Sequence, residues 1–319
     1  MAASLHYAAT GAANTPEANA APVSSEKTDG AILVIRVTGE AYATGPDGAA
    51  RTPLAKGARV VAGQTIVTDR NASVMLVLSN GATLTIAGGS ELAVEEFSQQ
   101  PFADSFRVTE ISREPTSSTT DLHLKRGEII SSVKKLNTEG GSNFRIKTPV
   151  GVAGIRGTTF RLDFRETSAT PVVGLKRYGH VSRNNPGNSA TGKLVMVFDL
   201  LMLEGEIETR LEGHAAPTPV TGEKQLRIDN IHLDGGTGKV DAASLANPVV
   251  RKAPASELAS LRRTVNAMLS EAASEVITPA ADAAPKPAPA PAPAPKPAPL
   301  PPSPDAQVPP PRLLPTDGG

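Results

Sequence analysis

Cysteine is absent from the 319-residue sequence, and so is tryptophan. Without thiols there are no disulfides, no thiolate nucleophile and no Cys-ligated metal. The absence leaves the compartment open, since it suits a reduced cytoplasm and a periplasm where stray pairing is avoided. With only 3 Tyr and 7 Phe, the core has to be built from Val, Ile and Leu, and stacking platforms for sugars are scarce. Net charge is lacking too: 32 Lys and Arg balance 32 Asp and Glu. That balance argues against a strongly electrostatic partner for the whole chain, nucleic acid above all. No apolar run is long enough to cross a bilayer as a helix. The N-terminus has neither a basic n-region nor a Leu-rich h-region, yet Ala18-Asn19-Ala20 before Ala21 has the small-residue form of a cleavage site. A trimmed or missed export signal upstream is the expectation.

Catalytic constellations are missing as well. The histidines His6, His123, His180, His214 and His232 are scattered, and no pair has zinc-hydrolase spacing. Asp229 and His232 are close in sequence but read as a surface turn. No Gly-x-Ser-x-Gly elbow occurs. Asp47, Asp69 and Asp234 sit in turns without the ligand spacing of a calcium loop. The sequence therefore points to no enzyme, no cofactor and no metal.

What is present is a β rhythm. Apolar runs such as Ile32–Val37, Ser73–Leu78 and Ala82–Ile86 are short and separated by turn residues, with Asn80-Gly81 a strong hairpin signal. Leu122–Leu124 and Glu128–Val133 are expected to pair about a turn at Arg126-Gly127, and Lys134–Ser142 to form an exposed basic loop. Leu194–Leu203 reads as a buried strand. The spacing of Leu258, Leu261, Val265, Met268, Leu269, Ala272 and Val276 predicts one amphipathic helix over 255–277, capped by Ser256 and packed back on the β domain. After Pro279, Ala-Pro and Lys-Pro repeats predict a polyproline spacer.

The densest pattern runs from Phe144 to Phe164. Phe144, Ile146 and Thr148 alternate with Arg145 and Lys147, and Phe160, Leu162 and Phe164 alternate with Arg161, Asp163 and Arg165. Between these two strands Gly151, Gly154 and Gly157 predict a Gly-rich loop of positive φ or close backbone approach. As a phosphate loop it is weak, having no strand-to-helix transition and no Lys-Ser/Thr ending. Arg156 within it is expected to be buried on backbone carbonyls, the alternative being a clamp for an anionic ligand. Residues 122–183 hold 12 Lys and Arg against 4 Asp and Glu. Solvated strand faces explain that excess, with an anionic-partner surface as the other possibility.

Three blocks together resemble the FecR family, named for the iron-dicitrate regulator. The first is Pro53-Leu54 and Gly57 followed by Val61-x-Gly63-Gln64-x-Ile66-x-Thr68, with Gln64 where Asp is usual. The second is Val74–Leu78 with Asn80-Gly81-x-x-Leu84-x-Ile86, Asn80 replacing Asp. The third and most specific is Leu124-x-x-Gly127-Glu128-Ile129 with Phe144-x-Ile146-x-Thr148-Pro149-x-Gly151-Val152-Ala153-Gly154-Ile155-Arg156-Gly157-Thr158-x-Phe160. Weaker echoes at Leu203–Ile207 and Val220–Gln225 extend the resemblance over about residues 30–230.

The resemblance implies an extracytoplasmic, all-β domain, a β-sandwich or β-roll of many short strands. The expected organisation is a disordered leader (1–29), a FecR-type β domain (30–165), a β extension (166–250), an amphipathic helix (251–278) and a disordered Pro/Ala-rich tail (279–319). Regulatory members of the family add an anti-sigma segment and a membrane helix, neither of which is seen in this sequence. The expected function is a non-enzymatic binding or scaffold module in the periplasm or cell envelope. The alternative is a regulator relaying a TonB-dependent receptor signal to a sigma factor through a partner chain. Expected partners are an envelope protein or receptor signalling domain, with peptidoglycan or polysaccharide also open. The candidate contact residues are Lys134, Lys135, Arg145, Lys147, Arg156 and Thr158.

Overall fold

The computed structural model describes residues 26–48, 50–167, 193–234 and 237–278. Most of the leader, the segment with Lys176, Arg177 and His180, and the proline-rich tail lie outside the described residues. In chain order the strands are β1 Thr28–Asp29, β2 Ile32–Thr38, β3 Ala41–Thr44, β4 Arg51–Pro53, β5 Arg59–Val60, β6 Thr65–Thr68, β7 Ser73–Leu78, β8 Thr83–Ile86, β9 Glu91–Gln99 and β10 Phe106–Arg107. They continue with β11 Ser118–Ser132, β12 Asn143–Thr148, β13 Gly151–Ile155, β14 Thr159–Glu166, β15 Lys193–Glu204, β16 Glu206–Leu211, β17 Thr218–Thr221, β18 Lys224–Asp234, β19 Val249–Lys252 and β20 Val276–Ile277. The described residues also hold one α-helix, α1 Ala255–Ala272, and a short 3-10 turn at Ala242–Leu245.

The strands form two layers that share β11. Sheet A runs β4–β3–β6–β9–β11–β12–β13–β16–β17, with β1 on the edge of β9. Sheet B runs β5–β2–β7–β8–β11–β14–β15–β18–β19. All ladders but β11–β12 are antiparallel. The first part of β11 pairs with β9 and β12; from Gly127 onward it pairs with β14, and from Ile129 with β8 as well. The two layers are thereby tied into one barrel-like network. Sandwiches turn corners by strands that change sheet at a bend, and Gly127 is that bend. Its φ is +96°, and a Cβ there would lie 2.4 Å from Ser90 Cα. The Ser90 hydroxyl accepts from Glu128 N–H at 3.0 Å and locks the crossing. The expected turn at Arg126-Gly127 is thus a kink inside one long strand.

The strand alternation is realised as expected. Phe144, Ile146, Phe160, Leu162 and Phe164 are fully buried between the layers, joined by Val34, Leu76, Ile86, Leu200 and Leu226. Such burial stabilises by about 1.5–3 kcal/mol per large apolar side chain. Leu194–Leu203 lies within β15, central in sheet B. Asn80-Gly81 makes the β7–β8 turn, with Gly81 at φ +84° and Asn80 Oδ1 accepting from Ala82 N–H.

A second cluster lies on the outer face of sheet B. Leu258, Leu261, Val265, Met268 and Ala272 of α1 pack on Met75, Val77, Ile130, Leu201 and Leu203. The 3- and 4-residue spacing gives this helix a single apolar stripe, and the sheet supplies the matching surface. The helix ends at Ala272, so Val276 is not on its stripe; it is exposed in β20, whereas its neighbour Ile277 enters the cluster. Ser256 does not cap the helix: the N-cap is Pro254, with no side-chain cap bond.

Three further expectations are corrected. The Gly-rich segment Gly151–Ile155 is itself a strand, hairpin-paired to β12 and flanked by β16. Asp229 and His232 lie within β18, where Asn230 adopts φ +58°. Thr28–Asp29, placed by sequence in the leader, pair with Ser98 and Gln99.

Candidate interaction surface

The six candidate residues fall into two groups. Arg145 and Lys147 project from β12 onto the outer face of sheet A. There a β-bulge matters: β9 slips register between Leu122 and Asp121 of β11, leaving Glu95 as the extra residue. Bulges re-aim side chains, and Glu95 accepts from Lys147 Nζ while its other oxygen lies 3.3 Å from His123 Nδ1. Arg145 donates to both carboxylate oxygens of Asp121, through Nε at 2.7 Å and through its terminal nitrogen. Burial holds the His123 imidazole below its ordinary pKa, opposed by Glu95 and reinforced by Lys125 and Lys147.

The second group lies where β11 ends, around Gly157, with the Lys135 side chain exposed. Lys134 and Lys135 follow β11, and the backbone of Lys135 runs against Gly157, where a Cβ would meet Lys135 Cα at 2.8 Å. Lys134 is half-buried and held below its ordinary pKa by that burial. Thr158 is buried, and its backbone carbonyl accepts from Val133 N–H, so it offers no surface for contact. Leu136 is also buried, so the segment after β11 is not the fully exposed loop expected. Arg156 departs from expectation as well. It is exposed, and it donates to Glu208 on β16 at 3.2 Å rather than to backbone carbonyls.

The three glycines of the motif do different work. A Cβ at Gly151 would lie 2.2 Å from Arg210 O, and Gly157 combines φ +104° with the Lys135 contact. At Gly154 φ is ordinary, and a Cβ would meet only Glu208 O, at 3.7 Å. The fold does not require glycine there. In register Gly154 lies between Arg145 and Glu208, on a row continued by Asp121. The result is a stretch of bare backbone in the middle of the outer face of sheet A, rimmed by Arg145, Lys147, Arg156 and Glu208.

Sequence reasoning missed a charged network on the other layer. On the outer face of sheet B, Glu128, Asp163, Asp199 and Arg227 stand opposite one another in successive strands. Asp199 is 2% exposed and accepts from Gln225 Nε2 at 2.7 Å and from Arg227 at 2.9 Å, with Arg161 at 3.4 Å. Arg161 also donates to Glu257 in the first turn of α1, at 2.8 Å, tying helix to sheet. Arg165 bridges Asp163 and Glu128. Burial pushes the Glu128 and Asp163 carboxyls above their ordinary values, partly offset by Arg161 and Arg165. The available signal was the lone Asp199 inside the apolar run Leu194–Leu203.

Among the described residues, part of the excess of Lys and Arg over 122–183 is met by acids from elsewhere in the chain: Lys125 by Glu91, Lys147 by Glu95 and Arg156 by Glu208. Among the described residues no group of three or more His, Cys, Asp and Glu is placed to hold a metal.

A model of the FecR protein family matches residues 64–176. Over that span, about a third of the chain, the sequence is similar to the FecR family. The match begins inside the first sequence block and takes in the β7–β8 hairpin, the shared strand β11 and the whole glycine motif, a narrower span than the resemblance over 30–230. No curated protein matches. Two crystal structures of a putative anti-sigma factor from Parabacteroides distasonis align with TM-scores of 0.35 and identities of 10% and 11%. The alignments cover 61% of this chain and 63% and 62% of those chains, so less than two thirds of each is spanned.

Proposed function

We propose that this FecR-domain protein is a non-enzymatic binding module of the periplasm or cell envelope, and that its partner docks on the outer face of sheet A over Gly154. The observation that carries the reading is Gly154 itself. Glycine inside a strand costs roughly 0.5–1 kcal/mol and marks places where another backbone approaches closely. At Gly151 and Gly157 the approaching backbone belongs to this chain. At Gly154, among the described residues, an added Cβ would meet only Glu208 O, at 3.7 Å, and the rim offers charges of both signs to orient a protein partner.

The test is Gly154→Val. The added Cβ meets only Glu208 O among the described residues, at 3.7 Å, and φ is ordinary, so folding is expected to be retained while the notch is filled. Comparative capture from native envelope fractions, wild type against variant, is expected to show an envelope protein retained by the first and lost by the second. Equal retention of every captured protein by both would overturn the assignment of the face.

The family match favours a second reading, a signalling regulator acting through a partner chain. Its probe is the purified periplasmic signalling domain of a TonB-dependent receptor. Binding that Gly154→Val abolishes would make this protein the receptor-facing part of such a relay; no binding would leave the scaffold role.

A further inference from the structure

We infer that β19 is an acceptor edge for an acidic, extended polypeptide segment, a second site on the opposite layer from the Gly154 face and independent of it. β19 is the last strand of sheet B, and among the described residues it pairs only with β18. Ala253 N–H donates to Glu223 O at 2.9 Å, beside the register pair Lys224 and Lys252. Antiparallel pairs alternate between bonded and non-bonded, so the N–H and C=O groups of Val250 and Lys252 point away from β18 into the open edge. Val249 on the same strand is 55% exposed.

Where β19 ends lies a groove of about 500 Å³ between Lys252–Ala253 and α1, lined by Leu258, Ala259, Arg262 and Arg263. Its one acid, Glu223, lies 3.6 Å from Arg262, so the lining remains cationic. Lys224 stands directly opposite Lys252 in register. Like charges placed so are mutually repulsive; by alternation they lie on the face of Leu226 and Val250, opposite α1, where an acidic side chain of an added strand would relieve them.

Two features choose the occupant. The outward N–H and C=O groups of Val250 and Lys252 repeat at strand spacing, a pattern that another extended backbone matches with both donors and acceptors, which favours a polypeptide over a phosphate polymer. Lys252 and Arg251 on an edge are what natural sheets use to deter pairing with copies of themselves. The same cations favour a strand of opposite sign, so the edge rejects a second copy of this chain and accepts an acidic segment. Pro248 and Pro254 bracket β19 and limit the added strand to a few residues.

The probe is a short fluorescein-labelled peptide of alternating valine and glutamate, titrated against the full chain by fluorescence anisotropy. Saturable, salt-sensitive binding is expected. Reversing the exposed pair Arg262→Glu/Arg263→Glu should weaken it at least about tenfold. N-methylating alternate amides of the peptide should do the same on the unaltered protein, which removes any question of folding. Lys252→Pro, which removes an outward N–H together with one lining cation, should also weaken it, while Gly154→Val should not. Failure of the peptide to bind, undiminished binding by its N-methylated form, or equal binding by inorganic polyphosphate would overturn strand addition.

Discussion

On the outer face of sheet A, Lys147 meets Glu95 and Arg156 meets Glu208 with both members of each pair at least one-third exposed. On the outer face of sheet B, Arg161 and Arg227 meet an Asp199 that is 2% exposed, and α1 closes over the neighbouring rows. The residue types are the same and the roles are opposite. Exposed pairs contribute about 0–1 kcal/mol and can be exchanged for a partner's charges at little cost. Buried ones cannot be disturbed singly without leaving a charge stranded. Sheet B is therefore held to its helix through buried charge, and the Lys147 and Arg156 pairs leave sheet A an adjustable rim around a fixed Arg145–Asp121 pair, whose Asp121 is 6% exposed.

The sharpest way to break the contrast is at the helix seam. Leu261→Ala removes a 3%-exposed side chain from the α1–sheet B cluster, and is expected to cost about 2–5 kcal/mol in urea unfolding. Val152→Ala on the bare face should cost well under about 1 kcal/mol. Comparable losses at both positions would mean that sheet A is covered too. Next in size is Asp199→Asn. It leaves Arg161 and Arg227 facing each other across a neutral amide; because both arginines keep some solvent, the expected loss is about 2–3 kcal/mol. A neutral outcome would show that the network is dispensable.

These differences were only partly legible in the sequence. Period-2 alternation correctly assigned Phe144, Ile146, Phe160, Leu162 and Phe164 to the core, and the helical spacing from Leu258 to Ala272 found α1. Both are local signals carried by neighbouring residues. Long-range pairing was not legible. Gly127 read as a turn because positive φ is common to turns and kinks, and only the Ser90 contact shows which it is. Gly151–Ile155 read as a loop because glycine density hides strand pairing enforced by β12 and β16 on either side. Arg156 was assigned a buried role because Glu208, its partner, is 52 residues away. The bulge that delivers Glu95 between His123 and Lys147 is a register event, and no single-strand pattern encodes it.

The two faces should also answer pH in opposite senses. Glu128 and Asp163 titrate above their ordinary values in the folded protein because burial disfavours their charge. Between the ordinary and the raised values the folded state binds more protons than the unfolded one. Their contribution to stability therefore rises as pH falls through the raised values. His123 is lowered, again chiefly by burial. In its window the unfolded state binds the extra proton, so its contribution is present above the ordinary histidine range and is lost as pH falls through it. Urea midpoints on mild acidification should therefore fall less in His123→Gln than in wild type, and more in Glu128→Gln/Asp163→Asn. Identical pH profiles for all three proteins would remove both assignments.

The smallest effect on stability is expected at Lys147→Ala, and it is the one that best separates surface from scaffold. Its side chain is 41% exposed beside Glu95, so folding stability should change by no more than about 0.5 kcal/mol. Glu95, however, would keep only His123 within reach, and the rim around Gly154 would shift towards negative charge. If the bare face is where the partner sits, association should slow and become less sensitive to salt while the unfolding curve stays in place. A change in unfolding with unchanged association would instead make Lys147 part of the scaffold, and the distinction between the two layers would have to be redrawn along β11.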